Sequence, residues 1–325
     1  MYFPLVLLAF FALTLTVGAN KIDQQYKHLV RKILDEGEPR NDRTGTGTIA
    51  LFAPSPLVFD VSHEAFPLLT TKKVTFRLIA EELFFFLSGS SNVGELQKRN
   101  VRIWDQNAAV NIEGRAGFYS QAWRYFGANE FSHDKQEMKK QAHVDQIADA
   151  INKIQHDPTS RRIFISSWDA LNIKMNPTVL PPCHISMQYF VRNDGTLDMQ
   201  VYQRSADVAL GYDFKIDLWS HEADLHCMLP FNIGSYSLLL LLMAYVTDRT
   251  PGKITYVLGD SHLYANILEP IMRQLERKPF PLPKIRFKTN IQRGSGLQGL
   301  LKFTVDDLEL VEYNSHPPIK MVMSA

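Results

Sequence analysis

The chain has 325 residues, of which 45% are apolar and 21% are charged, the composition of a globular protein with a large core. Its formal charge of +1, from 35 basic and 34 acidic residues, excludes a strong global field that attracts nucleic acid or an anionic membrane. Only two cysteines occur, Cys183 and Cys227, so a disulfide framework is excluded. One disulfide between them can form, and the count fits a reducing compartment.

The chain begins with an apolar leader, residues 1–20, which we leave out of the fold prediction. Tyr2 to Val17 carry no charge, and the small residues Gly18 and Ala19 are of the kind that a signal peptidase accepts. No Lys or Arg precedes the apolar run, which argues against secretion, and the run is short for a membrane span. A targeting segment and a wrongly assigned start are both open as interpretations, and the folded domain is expected at 21–325.

The hydrophobic pattern of the remaining chain predicts a single mixed α/β domain without repeats or linkers. In chain order it predicts a helix at 26–34, a strand at 49–53, helices at 76–87 and 143–155, strands at 163–168, 184–191 and 197–203, a helix at 233–246, and strands at 254–258, 284–288 and 308–313. Asn193-Asp194-Gly195 predicts a short hairpin turn. The almost wholly apolar segment 233–246 is short for a membrane span, so we interpret it as a buried helix.

Cys183 is the candidate nucleophile. Pro181 and Pro182 fix the backbone just before it, and Arg204, further along the chain, supplies a cation that stabilises the thiolate, the form that attacks carbon. The alternative is that Cys183 is a buried small apolar residue. His184 is poorly placed as its base, because neighbours on a strand point to opposite faces. The ligand spacing does not indicate a zinc site.

A nearly neutral chain can bind an anion only through a local cluster of cations. Six arginines are candidates: Arg43, Arg124, Arg161, Arg162, Arg204 and Arg293. Each alone is explained by a surface charge or a structural ion pair. Arg161, Arg162 and Arg204 differ because they abut predicted apolar strands, where an unpaired guanidinium is costly unless an anion meets it. Because guanidinium groups match phosphate oxygens, the pattern indicates an enzyme acting on a small phosphorylated ring compound.

A series of ordered motifs extends from about Tyr26 to Ala325. The motifs are Asp42-Arg43-Thr44-Gly45-Thr46-Gly47-Thr48, Phe66-Pro67-Leu68-Leu69-Thr70-Thr71-Lys72, Ile103-Trp104-Asp105, Asp157-Pro158-Thr159-Ser160-Arg161-Arg162, Leu180 to His184, Gln203 to Asp207, Leu229-Pro230-Phe231-Asn232-Ile233, Gly259 to Tyr264 and Ile319-Lys320-Met321. On these motifs the chain resembles the thymidylate synthase family. The resemblance implies an α/β (α+β) fold, with a large twisted mixed sheet, flanking helices on one side, and a homodimer in which the two sheets pack together.

The resemblance also implies a reaction: reductive methylation of dUMP to dTMP, with 5,10-methylenetetrahydrofolate as co-substrate, dihydrofolate as the second product and no metal. The matching catalytic residues are Cys183, which adds to carbon 6 of the uracil, Arg204, which lowers the thiol pKa, Glu82, which manages protons, and Tyr119, near the proton that leaves carbon 5. Because Glu82 lies in an apolar run, we expect it to be buried with a tuned pKa.

The implied binding residues form two sets. Those for dUMP are Arg43, Arg161, Arg162, Arg204, Ser205, Asp207, Asn232, His262 and Tyr264, and those for the folate are Ile103, Trp104, Asp207, Phe231 and Ala325. In the family, Arg161 and Arg162 reach across from the second subunit, which makes the homodimer obligatory. Asn232 pairs with the uracil edge, and His262 and Tyr264 contact the sugar hydroxyl. The resemblance places the chain in the cytoplasm, although the leader leaves secretory or membrane targeting open.

The chain departs from the family at residues 212–228, a seventeen-residue insert just before Leu229. Its histidines and acids have no ordered ligand spacing, so we interpret it as a surface loop or a retained piece of intron. Because it adjoins Phe231 and Asn232, one alternative function is a catalytically impaired nucleotide-binding homologue. Another is a pyrimidine-nucleotide hydroxymethylase, but Asn232 favours uracil, since cytosine presents an amino donor and an unprotonated ring nitrogen.

Overall fold

The structure, a computed structural model, describes residues 20–42, 45–62, 65–105, 119–128, 142–175, 180–209 and 228–321. Several predictions fall outside these ranges. They concern the leader up to residue 19, insert residues 212–227, Arg43 and Ala325.

A mixed sheet organises the described part of the chain. Its seven strands are β1 Glu38–Arg40, β2 Thr48–Phe52, β3 Leu57–Asp60, β4 Phe164–Ser166, β5 His184–Val191, β6 Thr196–Asp207 and β7 Thr250–Tyr264. The spatial order is β1-β2-β7-β6-β5-β4, and β3 also pairs with β7. Strands β6 and β7 are parallel, and the other pairs are antiparallel. A separate two-stranded sheet joins β8 Lys284–Phe287 to β9 Leu308–Val311.

Helices flank this sheet. They are α1 Lys21–Glu36, α2 Phe76–Ser88, α3 Val93–Gln97, α4 Tyr119–Arg124, α5 Gln146–His156, α6 Ala170–Met175, α7 Leu229–Val246, α8 Leu268–Glu276 and α9 Gly296–Leu300. Side chains cap two amphipathic helices: Asn20 accepts from the first amides of α1, and Asp145 accepts from Ala148 in α5. Helix α2 ends where Gly89 adopts a left-handed φ of 74°.

Helix α7 is the centre of the core. It is long and apolar enough to span a membrane by length and composition, but 94% of it is buried inside the protein, which is typical of the core helix of a soluble protein. Gly234 lets it approach α2 closely, since a Cβ there would lie 2.8 Å from the Ile79 Cδ1 atom. The interpretation of this segment as a buried helix is confirmed.

The fold class is confirmed, but several predicted boundaries are wrong. Strand β7 has fifteen residues instead of the five predicted at 254–258, and β6 continues beyond residue 203 to Asp207. Helix α7 begins at Leu229, four residues before the predicted start. The short elements β1, β3, α3, α4, α6, α8 and α9 were not predicted. The two strand extensions matter for function because they carry predicted site residues.

One face of the sheet is open in the single chain. Residues paired across neighbouring strands lie on the same face, and one row on this face runs Phe164, Gln188, Gln200, Thr255. Phe190, opposite Asp198 in a second row, is 65% exposed, and Phe164 is 46% exposed. The core lies on the other face, where β5 and β6 direct Met187, Tyr189, Met199 and Val201.

Candidate active site

Three neighbouring strands bring distant motifs to one edge of the sheet. Strand β5 begins immediately after Cys183, and β6 and β7 both end at the same edge, because β6 is antiparallel to β5 and parallel to β7. In this register Ser205 lies opposite Asp260, and Asp207 lies opposite His262. The Arg204 backbone amide donates to the Cys183 carbonyl at 2.8 Å. Residues from three motifs that are far apart in sequence therefore share one site.

Cys183 is buried at this edge, and its backbone amide donates to the Tyr119 hydroxyl at 2.8 Å. Its sulfur is disulfide-bonded, and Cys227, which lies outside the described residues, is the only other cysteine of the chain. A disulfide is therefore found at the candidate nucleophile. A sulfur in this state is not a thiolate, so nucleophilic attack requires prior reduction.

The Arg204 guanidinium is fixed beside Cys183 by three contacts. Its Nε donates to the Pro182 carbonyl at 2.8 Å, and its Nη2 donates to the Pro181 carbonyl at 3.2 Å. Its Cζ lies 5.4 Å from the centre of the Trp168 ring. The two prolines therefore do more than restrict the backbone, because their carbonyls orient the arginine. No sequence motif indicates the contact of Trp168 with Arg204.

Glu82 is buried on α2, as its apolar surroundings predict. The Trp104 Nε1 donates to the Glu82 Oε1 at 2.9 Å. Burial raises the pKa of this carboxyl to about 8, and the hydrogen bond from Trp104 partly offsets the rise. A carboxyl group with a pKa near neutrality can both give and take a proton at physiological pH.

Aromatic rings connect Glu82 to Cys183. The Trp104 and Tyr119 ring centres are 6.4 Å apart, and Tyr119 stacks on His184 with centres 4.1 Å apart and an interplanar angle of 12°. His184 Nδ1 is hydrogen-bonded to the Tyr236 hydroxyl. Burial lowers the pKa of His184 to about 3, so its ring is neutral at physiological pH. His184 supports Tyr119, a contact that its place in the sequence did not predict.

Asn232 lies in the first turn of α7 and is buried. Its Nδ2 donates to the Gln203 Oε1 at 3.3 Å, and Gln203 Nε2 donates to the Ser205 carbonyl at 2.8 Å. Gln203 therefore fixes the orientation of the Asn232 amide, a role that the motif containing it did not reveal. Phe231 is also buried, beside Asn232.

The end of β7 presents His262 and Tyr264, whose rings meet edge to face with centres 5.4 Å apart. His262 Nδ1 is hydrogen-bonded to an Asp260 carboxylate oxygen at 2.9 Å, and Arg40 Nη1 lies 3.5 Å from the other oxygen. The bond to His262 is the largest effect that holds the Asp260 pKa below its ordinary value. Asp260 therefore orients the histidine ring.

The candidate arginines separate into two groups. Arg124 pairs with Asp145 through 2.8 to 3.0 Å bonds, and Arg293 pairs with Asp248 at 3.0 Å, so these two are structural. Arg161 and Arg162 lie exposed near β4, and their guanidinium groups have no hydrogen-bond or ion-pair partner among the described residues. Within one chain they are not brought into contact with Cys183.

Lys72 is a buried basic residue near the site. From the sequence, it is named only as the last residue of a motif. Its Nζ donates to the Ala209 carbonyl and lies 3.9 Å from the Met321 sulfur, which ties the C-terminal segment to the end of β6. Burial lowers its pKa to about 7, and the nearby Asp207 carboxylate partly offsets this shift. In the part of the chain that the structure describes, no group of three His, Cys, Asp or Glu could hold a metal ion.

Covalent catalysis of a group transfer is the chemistry that this site suits, since it combines a candidate sulfur nucleophile, once reduced, with a fixed cation and a buried carboxyl group whose pKa is about 8. Comparison with known proteins gives the family: the thymidylate synthase family model matches residues 24–221 and 217–325. Thymidylate synthase of Saccharomyces cerevisiae is 36% identical, over 94% of this chain and 98% of the yeast protein. Thymidylate synthase 1/2 of Encephalitozoon cuniculi is 40% identical, over 93% and 97%.

Thymidylate synthase of Candida albicans is 36% identical, over 95% of this chain and all of the Candida protein. The chain belongs to the thymidylate synthase family. It is a methyltransferase of dTMP biosynthesis, as its relatives over nearly the full length support.

Proposed function

We propose that Cys183, once reduced, is the nucleophile with which this chain methylates dUMP reductively to dTMP. The thiolate adds to carbon 6 of the uracil, which makes carbon 5 nucleophilic, and release of the sulfur at the end restores the enzyme. The family uses 5,10-methylenetetrahydrofolate, which supplies the one-carbon unit and the hydride and leaves as dihydrofolate. The observation that supports this most is the strand register that places Arg204 beside Cys183.

The nucleotide is bound through its three parts. Arg204 and Ser205 bind the phosphate, together with Arg43, which lies outside the described residues. The fixed amide of Asn232 pairs with the uracil edge, because an amide offers both a donor and an acceptor. His262 and Tyr264 bind the sugar hydroxyl.

Proton transfer is assigned to two side chains. Glu82 exchanges the protons of the ring, directly or through water, because its pKa of about 8 lies near the working pH. The Tyr119 hydroxyl accepts from the Cys183 backbone amide, and this closeness to the nucleophile supports a role near the proton that leaves carbon 5.

The residues assigned to the folate have suitable chemistry. Trp104 and Phe231 carry aromatic rings of the kind that stack on a flat bicyclic ring, and Ile103 is apolar, although all three side chains are at most 2% exposed in the single chain. Asp207 supplies a carboxylate that accepts from ring N–H groups. The assigned contact of Ala325 stays a prediction, since it lies outside the described residues.

The active form is a homodimer built on the open face of the sheet. The exposed rings of Phe164 and Phe190 on that face support this, since large exposed aromatic side chains are typical of protein interfaces. Arg161 and Arg162 then reach the phosphate site of the partner, where an anion meets their unpaired guanidinium groups. Residues 21–325 form one catalytic domain, and we place the protein in the cytoplasm.

Trapping with 5-fluoro-dUMP and the reduced folate tests the nucleophile. After treatment with a reductant, mass spectrometry is expected to find a covalent adduct on the peptide that contains Cys183. Tritium release from 5-tritiated dUMP and detection of dTMP test turnover. A hydroxymethylated product, or binding of dUMP without tritium release, would instead support one of the two alternative functions.

A further inference from the structure

We propose that Trp168 is a positioning residue for Arg204, and through it for the phosphate site and for the Cys183 thiolate. The inference rests on the proposed function, in which Arg204 binds the phosphate of dUMP. Trp168 covers one face of the guanidinium.

The geometry around Arg204 leaves one direction for an anion. Its Nε and Nη2 are occupied by the carbonyls of Pro182 and Pro181, and one face of the guanidinium plane lies over the Trp168 ring at 5.4 Å. Among the described residues, Nη1 has no hydrogen-bond partner. The contacts therefore direct the Nη1 edge towards a ligand, with the planar fork already oriented for phosphate oxygens.

The backbone at Trp168 is held in place at the edge of the sheet. Its backbone amide donates to the Ser166 Oγ at 3.2 Å, and the preceding Ser167 amide donates to the Ile185 carbonyl at 2.8 Å. Ser167 Oγ accepts from Trp123 Nε1 at 2.8 Å. A half-exposed tryptophan on so restrained a backbone is a stable platform for a neighbouring cation, and indole gives the strongest attraction of the aromatic rings.

This arrangement has two consequences. The ring shields one face of the guanidinium from water, which strengthens its attraction for a nearby anion. The restraint also lowers the ordering cost of binding, because the long arginine side chain is already oriented before the phosphate arrives. Both effects act through Arg204, so in ligand binding they require a phosphate, and in the reduced protein without ligand they act on the Cys183 thiolate.

The test compares ligands with and without a phosphate. The dissociation constants of dUMP and of deoxyuridine are measured for the reduced wild-type protein, Trp168→Leu and Trp168→Phe. Trp168→Leu is expected to weaken dUMP binding roughly two- to fivefold, the range of an exposed cation–π contact, and to leave deoxyuridine binding unchanged. Trp168→Phe, which retains an aromatic face, is expected to recover part of the loss.

A second readout needs no substrate. Alkylation of Cys183 by iodoacetamide is followed against pH by mass spectrometry of its peptide, and the midpoint is expected to move to higher pH in Trp168→Leu. Phe280→Leu is the matched control, because Phe280 is 38% exposed and Trp168 39%, and Phe280 contacts His316 instead of Arg204. It is expected to change neither measurement.

The inference is overturned if Trp168→Leu weakens dUMP and deoxyuridine equally, or weakens neither. A double-mutant cycle with Arg204→Lys adds a check against misfolding: the two substitutions are expected to be non-additive for dUMP, and full additivity contradicts the inference. If the wild-type protein does not bind dUMP, the proposed function fails. The inference on Trp168 is then decided by alkylation, where an unchanged Cys183 profile overturns it.

Discussion

The stability of the wild-type protein is expected to fall as pH rises, because Glu82 is buried. Replacing Glu82 with glutamine is expected to remove this fall. Burial raises the folded-state pKa of Glu82 from 4.5 to about 8. Because the folded-state pKa lies above the unfolded-state pKa, the stability that Glu82 contributes is fully present below about pH 4.5. This stability is lost as pH rises through about pH 8. This rise of the Glu82 pKa, by roughly 3.5, corresponds to at most about 5 kcal/mol of unfolding free energy, because a pKa change of one is worth roughly 1.4 kcal/mol.

Urea denaturation at a fixed protein concentration, from about pH 5 to about pH 8.5, measures this difference. Wild-type stability is expected to fall relative to Glu82→Gln across that range. Glu81→Gln is the matched control on the same helix, because Glu81 pairs with Arg99 at 3.0 Å on the partly exposed side. Parallel curves for wild type and Glu82→Gln would refute the reasoning. Turnover by Glu82→Gln is expected to fall by about 10²-fold or more, the usual range for loss of a general acid or base.

Three further predictions concern the disulfide, the dimer and the uracil edge. Turnover by the wild-type protein is expected to require a reductant, because Cys183 is disulfide-bonded. The variant Cys227→Ser is expected to release tritium without a reductant. Equal reductant dependence of the two proteins would contradict this. Phe190→Asp is expected to weaken the dimer by placing a charge on the open face, and an unchanged sedimentation coefficient would argue against that interface. Asn232→Asp is expected to lower kcat/KM for dUMP by roughly tenfold or more through a mismatched hydrogen bond, and unchanged kinetics would remove its assigned role.

Elements determined by local sequence were predicted well. Strand β5 has the predicted bounds, and α2 ends one residue beyond the predicted end, where Gly89 stops it. Helix α1 begins earlier than residue 26 because Asn20 caps it, although Asn20 belongs to the excluded leader. Apolar periodicity and capping act within a few residues, so a single sequence contains them.

Strand β7 was predicted too short because its ends contain residues that favour turns. Gly252 and Gly259 are required for close packing instead: a Cβ on Gly259 would lie 2.6 Å from the Arg204 carbonyl oxygen, and one on Gly252 would lie 2.2 Å from an Asp198 carboxylate oxygen. Hydrogen bonds to β2, β3 and β6 on both sides hold the strand extended. These partners are distant in sequence, so local turn chemistry gave the wrong answer.

The motifs identify the candidate site residues, but they do not reveal the partners that orient these residues. The Trp104 hydrogen bond to Glu82 joins residues from two separate motifs. The contacts of Arg204 with the proline carbonyls and with Trp168 also depend on strand register. A sequence lists side chains in order, whereas such contacts depend on which strands become neighbours and on how their residues align.

The insert at 212–228 interrupts the chain between two points that are both fixed to β6. Before it, Asp207 ends the strand and forms a bridge with Met228, the last insert residue and the one before α7. After it, Asn232 reaches back to Gln203. Lengthening a loop between fixed ends is inexpensive, since each doubling of length costs only about 0.6 kcal/mol.

The added length therefore does not by itself displace Asn232 or Phe231. Both side chains are buried, and Asn232 keeps the orientation that Gln203 imposes, so the amide proposed to pair with uracil is held in place beside the insert. The family model also matches on both sides, over residues 24–221 and 217–325. These anchors favour an active enzyme over an impaired nucleotide-binding homologue, because impairment by the insert requires breaking contacts that the structure retains.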